Sequence, residues 1–291
     1  MTESSHLSLP IRLITLNIRY ATESPVPGEE TWQIRCPRLC AQLKFLTSGH
    51  DSAFVCLQEV LHSQLTDIQE RLGLSWDHTG NGREDGDRAG EYSPIFYRAD
   101  RWECERSRTF WLSPTPHVPS RGWDAALKRI VTVGSFCHRD TGTVVVLMST
   151  HLDHRGVLAR EESSRLLLTL AKSWTEIADS APHPSLFLGG DFNSTPTGKA
   201  YKILTEPGSR MSDISRLVAE DAKYGNREIT YTSFGEPNSR PARIDFLFVR
   251  DAARLRFSTF GIPSNKFDDE VYLSDHRPVV ADIEVPVKPA I

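Results

Sequence analysis

Eight short runs of apolar, β-branched and aromatic residues punctuate the chain, at 11–18, 53–57, 95–98, 130–136, 143–149, 186–188, 244–249 and 278–285. Each predicts a β-strand. Between them the apolar positions recur at helical spacing. Leu39, Leu43 and Leu46 form one stripe, and Leu61, Leu65, Ile68 and Leu72 form a second that stops at Gly73, a residue suited to a helix C-terminus. Leu166, Leu170, Trp174 and Ile177 form a third, longer stripe. Polar, Gly- and Pro-rich stretches at 22–30, 79–91, 113–122, 205–213 and 235–242 read as loops. None has the length of a linker, so residues 11–287 are expected to form one domain behind a flexible segment, 1–10. Strands outnumber helices, and the helices are scattered among them. That predicts an α+β fold of two packed sheets with helices outside, not a doubly wound parallel sheet.

The polar residues that bound these runs carry the chemical information. Asn17, Glu59, His151, and the pair Asp191 and Asn193 follow apolar runs. Glu91, Asp245, and the pair Asp275 and His276 precede or open them. Four strands therefore run into a polar cluster and three run out of it, as antiparallel or mixed sheets allow. Phosphate-ester hydrolysis needs charge neutralised on the non-bridging oxygens, an aimed water and help for the leaving oxygen. Glu59, fixed behind an apolar run, suits a hard cation such as Mg2+ or Mn2+, with Asn17 and Asp275 completing the site or supporting its ligands from behind. Asp191 and Asn193, if extended, point to one side and suit a water and a phosphoryl oxygen. His151 and His276 can hydrogen-bond phosphate or exchange a proton near neutrality, each oriented by a carboxylate, with Asp245 and Glu91 the candidates.

Composition narrows the partners. Across 291 residues, the net charge of −4 lacks the basic surplus of a protein that tracks long nucleic acid, and leaves short or small phosphate substrates open. Five cysteines without finger spacing argue against a disulfide framework, and Cys36 and Cys40 read as reduced thiols more readily than as a zinc pair. The first residues lack the basic and apolar regions of a signal peptide, and no run has membrane-span length. A soluble, intracellular protein without an obligate protein partner is the expectation.

The segments TLNIRY, LQEV, STHLDH, GGDFN, RIDFLF and LSDHRP occur in this order over residues 11–285. Together they resemble the endonuclease/exonuclease/phosphatase superfamily, of deoxyribonuclease-I-like fold. The resemblance implies a four-layer αββα sandwich and Mg2+ or Mn2+ dependence. It implies Glu59 as the principal metal ligand with Asn17 and Asp275 near the metal, and Asp191 and Asn193 positioning water and phosphate. It implies His276 paired with Asp245, and His151 as a second phosphate contact with Glu91 as its partner. FWLS (110–113) and RGWDAALKR (121–129) resemble an uncharacterised branch beside the deadenylase-like proteins, which makes Trp111, Trp123 and Arg129 candidate substrate contacts. The leading expectation is a phosphodiesterase acting on nucleic-acid ends, short oligonucleotides or nucleotide-like diesters. Hydrolysis of inositol phosphates or phospholipid head groups is the enzyme alternative, and a catalytically dead binding protein the third reading.

Overall fold

A computed structural model describes residues 8–176, 183–226, 228–237 and 239–287. The strands are β1 (Ser8–Asn17), β2 (Ala53–Gln58), β3 (Trp76–Thr79), β4 (Ile95–Arg98), β5 (Trp102–Trp111), β6 (Ile130–His138) and β7 (Val144–His151). They continue with β8 (Ser185–Asp191), β9 (Met211–Asp213), β10 (Lys223–Gly225), β11 (Asp245–Arg250), β12 (Arg256–Ile262) and β13 (Val279–Pro286). The helices are α1 (Trp32–Thr47), α2 (His62–Leu72), α3 (Val157–Thr175) and α4 (Lys199–Thr205). One sheet has seven strands in the order β10-β12-β13-β1-β2-β4-β3, and the other has six in the order β5-β6-β7-β8-β11-β9. This is the expected α+β sandwich. Among the described residues no helix is long and apolar enough to cross a membrane.

All eight strands read from apolar runs are present. The five not read, β3, β5, β9, β10 and β12, lie at a sheet edge or beside one. An edge strand buries little on either face, so its sequence loses the apolar alternation that marks inner strands. Thus β5, WECERSRTFW, is exposed or half-buried through most of its length and held by its ladder to β6. The stripes of α1 and α2 face inward as read. In α3 the buried face runs through Leu167, Leu170, Ala171 and Trp174, with Leu166 only partly buried; Ile177 lies outside the described residues. The seven-residue α4 was not expected.

Three apolar layers order the molecule. Alternate residues of the inner strands pack between the sheets, among them Leu13, Phe54, Leu147, Phe187, Leu247 and Ala281. The intervening residues of β1 and β2 pack on α1 and α2, and those of β7, β8 and β11 pack on α3 and α4. This gives the four layers, αββα. The sheets come closest where the inner layer thins toward one end. A Cβ on Gly189 would lie 3.2 Å from the Thr15 Cβ and 3.3 Å from the Cys56 Cβ of the opposite sheet. Ser149 Oγ donates across the gap to the Leu57 carbonyl at 3.3 Å. Gly189→Val forces the sheets apart there and is expected to cost roughly 2 kcal/mol, read as a lower urea midpoint. An unchanged midpoint would mean that the gap is looser than these distances indicate.

Candidate active site

Strand periodicity delivers the site. In β1 the inward positions run Leu9, Ile11, Leu13 and end at Asn17; in β7 they run Val145, Leu147 and end at His151; in β8, Phe187 leads to Asp191. β1 and β2 are parallel, as are β7 and β8, whereas β13, β4 and β11 run antiparallel to their neighbours. The four-in, three-out arrangement read from the sequence follows. In the six-stranded sheet, Asp191 is in register with both His151 and Asp245, which sets these three side by side.

Glu59 and Asn193 reach the site by another route. Both have positive φ, 60° and 45°, which is uncommon for non-glycine residues and costs backbone strain. Gln58 points between the sheets, so a regular strand would turn Glu59 toward the helices; the left-handed turn redirects it. Asn193 is likewise not extended after Asp191. Its backbone N–H turns back to donate to Asp191 Oδ1 at 2.9 Å, and its side-chain amide reaches His151 Nε2 and the Leu152 carbonyl, each at 3.0 Å.

Asp191 is the hub. Besides Asn193 it accepts from Asn17 Nδ2 at 3.1 Å and faces His151 Nε2 at 3.3 Å and His276 Nε2 at 3.7 Å. Burial and the neighbouring Asp245 push its carboxyl up to about 7, against the pull of His276 and its hydrogen bonds. His276 Nδ1 meets Asp245 Oδ2 at 2.8 Å. Burial would lower this histidine, but Asp245, Asp275 and Asp191 outweigh it and hold it well above its ordinary value. His151 goes the opposite way, well below, because burial is reinforced by Arg129 and Arg83. Glu59 accepts from Asn17 Nδ2 at 3.0 Å and from the Tyr20 N–H at 3.2 Å. Burial raises its carboxyl, but Asn17, His276 and Arg19 win and keep it below the usual range. Asp275 is raised, by burial and the charge of Glu59.

Two expectations change, those for Glu91 and Trp111, and the places of Asn17 and Arg129 become specific. Asn17 is a bridge between carboxylates, because its amide nitrogen donates to both Glu59 and Asp191 while its oxygen takes the Arg19 N–H. Glu91 does not partner His151. Both its oxygens take the Arg83 guanidinium, at 2.7 and 2.8 Å, and His151 Nδ1 is buried without a hydrogen-bond partner among the described residues. Even so, burial and Glu59 push Glu91 up to about 7. Trp111 is no platform for a base: it is 5% exposed, lies against Gly86 and donates to the Arg83 carbonyl at 2.8 Å. It pins the 79–91 loop. Arg129 is buried, ion-paired to Asp153 at 3.4 Å and hydrogen-bonded to His154, yet it still lines a cavity beside His151. Trp123 is half-buried, and Arg243 is bound to Asp213 and Ser215.

Several supporting residues were not singled out from the sequence. Ser274 Oγ donates to the Asn17 carbonyl at 2.6 Å and accepts from the His276 N–H, tying the loop before β13 to the end of β1. Thr230 Oγ1 accepts from the Ile244 and Asp245 N–H groups. Arg35, 1% exposed, donates to the carbonyls of Ile18, Arg19, Glu30 and Leu273. Ser274 sits inside the LSDHRP segment, where it was legible; Thr230 and Arg35 carry no local signal.

The donors fit a divalent cation. Asp191, Asp245 and His276 offer ligand atoms within 4.8 Å of one another, and Asp245 Oδ1 is buried without a hydrogen-bond partner among the described residues. Carboxylates pushed upward in a buried cluster signal uncompensated negative charge, which a hard cation relieves.

The chain matches the Endonuclease/Exonuclease/phosphatase family over residues 14–276. It belongs to that family. Family members hydrolyse phosphate esters and are generally dependent on divalent metal ions. A solved endonuclease/exonuclease/phosphatase from Bacteroides vulgatus is 34% identical, with a TM-score of 0.82, covering 95% of this chain and 99% of that one. The mannosyl-6-phosphatase of Bacteroides thetaiotaomicron is 31% identical, with a TM-score of 0.82, covering 94% of this chain and 99% of that one. Carbon catabolite repressor protein 4 homolog 4 of Arabidopsis thaliana is 28% identical over 160 residues, 49% of this chain but only 38% of that relative's length.

Proposed function

We propose that the chain is a Mg2+- or Mn2+-dependent phosphomonoesterase of small, polar phosphate esters. The observation that carries this reading is the small space beside His151. There Arg83, Glu91, Tyr92, Ser93, Arg129 and Ile130 leave a space of about 10 Å3, roughly the room of one water. A polymer threaded through the site needs an exit on both sides of the phosphorus, whereas a terminal phosphoryl group needs one. The nearly full-length similarity to a mannosyl-6-phosphatase supports the same choice.

In this reading the carboxylates Glu59, Asp191 and Asp245 hold the cation, with Asp275 close by. The ion supplies neutralisation of phosphoryl charge. Asp191 takes a proton from the attacking water as the water oxygen bonds to phosphorus; the ester P–O bond breaks, and the leaving alkoxide takes a proton from solvent water. His276, kept cationic by Asp245, faces the negative charge that develops. Asn193 and His151 orient the phosphoryl oxygens.

The second reading is the phosphodiesterase of nucleic-acid ends, oligonucleotides or nucleotide-like diesters. It is favoured by the motifs similar to the deadenylase-like branch, and disfavoured by the burial of Trp111. p-Nitrophenyl phosphate and bis-p-nitrophenyl phosphate separate the two. The expected result is metal-dependent turnover, abolished by chelator, with the monoester at least about 10-fold better in kcat/KM, a preference worth about 1.4 kcal/mol. The reverse order replaces the first reading with the second. Failure on both, with either metal, removes the hydrolase assignment.

A further inference from the structure

We propose that the cavity lined by Asn193, Glu161 and Lys199 is the subsite for the alcohol half of the ester, and that it takes a polyhydroxylated, sugar-sized group through Glu161 and Lys199. This rests on the monoesterase reading and adds the substrate class to it. The cavity is open, of about 510 Å3, and shares Asn193 with the catalytic cluster. Asn193, which meets both Asp191 and His151, lines it, so a group attached to a phosphoryl bound at Asn193 has this cavity beside it.

Its lining decides the chemistry. Around Asn193 stand the hydroxyls of Ser194, Thr195 and Thr197, with Arg160, Glu161 and Lys199 opposite. The Glu161 side chain is only 14% exposed, and its ion-pair partner is the ammonium of Lys199 at 3.5 Å, itself 76% exposed. A largely buried carboxylate so weakly engaged keeps acceptor capacity that costs free energy until it is used. Arg160 spends one nitrogen on the Asp153 carbonyl at 2.7 Å and keeps others. A vicinal pair of hydroxyls matches this pairing, because each can donate to Glu161 and accept from Lys199 or Arg160. A nucleobase finds no aromatic ring among the lining residues on which to stack. The exposed side chain of Val157 offers an apolar patch for the carbon face of a sugar.

The test compares the parent with Glu161→Gln and Lys199→Met on hexose 6-phosphates, nucleoside monophosphates and p-nitrophenyl phosphate, with Mn2+ present. Either variant is expected to lower kcat/KM for a hexose 6-phosphate at least about 10-fold more than for p-nitrophenyl phosphate, as loss of a hydrogen bond to a charged group implies. In chelator, where no turnover occurs, calorimetry is expected to give a weaker Kd for the hexose 6-phosphate in Glu161→Gln. Equal losses on both substrates, or none, overturn the subsite while the monoesterase reading stands. A parent that prefers nucleoside monophosphates, with the variants reducing that preference, overturns the sugar assignment. A parent inactive on every monoester removes the reading beneath it as well.

Discussion

Replacing Asp191 with asparagine lowers kcat by about 10²- to 10⁴-fold, the range of a lost general base, and barely moves the thermal midpoint in chelator. The activity loss follows from convergence. Asp191 is the group that Asn17, Asn193, His151 and His276 all approach, and in the absence of metal, burial and Asp245 raise its carboxyl to about 7. The small stability effect follows from cancellation. The asparagine gives up one of two accepted hydrogen bonds, but it also removes a buried charge beside Asp245. Kinetics with added Mn2+, together with thermal melts in chelator, check both halves. A variant that kept a tenth or more of the parent kcat would disqualify Asp191 as the base.

Asp245→Asn is expected to cost a similar factor by a different route. The 2.8 Å contact with His276 Nδ1 fixes the imidazole's orientation and, with its charge, holds the histidine protonated against burial. Without it, burial dominates and the histidine becomes neutral near neutral pH. The stability consequence has a definite sign. In the parent, the folded-state value lies above the unfolded one. The stabilisation is therefore fully present below about pH 6.5 and is lost as pH rises through the folded value. In the variant the folded value falls below the unfolded one, so stability is lost as pH falls below about 6.5. Urea midpoints between pH 5 and 9, with the His276 imidazole followed by NMR, distinguish the two. If the variant's His276 still titrated above neutrality, Asp245 would not be what charges it.

The residues that resisted reading share a cause. Glu91 was paired with His151 on spacing alone, whereas Arg83, eight positions earlier in a loop with no periodicity, arrives in a geometry that takes both carboxylate oxygens. Trp111 was a candidate for stacking because FWLS resembles a branch of the family. It is buried because the 79–91 loop folds over the end of β5, a contact that no local pattern encodes. Asn17 was expected close to the metal or phosphate, and which carboxylates its amide nitrogen joins, Glu59 and Asp191, was not legible.

By itself the sequence determined the inner strands, the two flanking helices α1 and α2, and the list of groups at the site. Apolar alternation and helical spacing are local, and the last inward position of a strand is fixed by a period of two. Tertiary structure alone decided which side chains pair, because a pairing depends on distances between strands far apart in the chain. It also decided which edge strands form, since these are held by a neighbour's hydrogen bonds, and where Glu59 and Asn193 turn into left-handed backbone, since that strain is borne by packing around them.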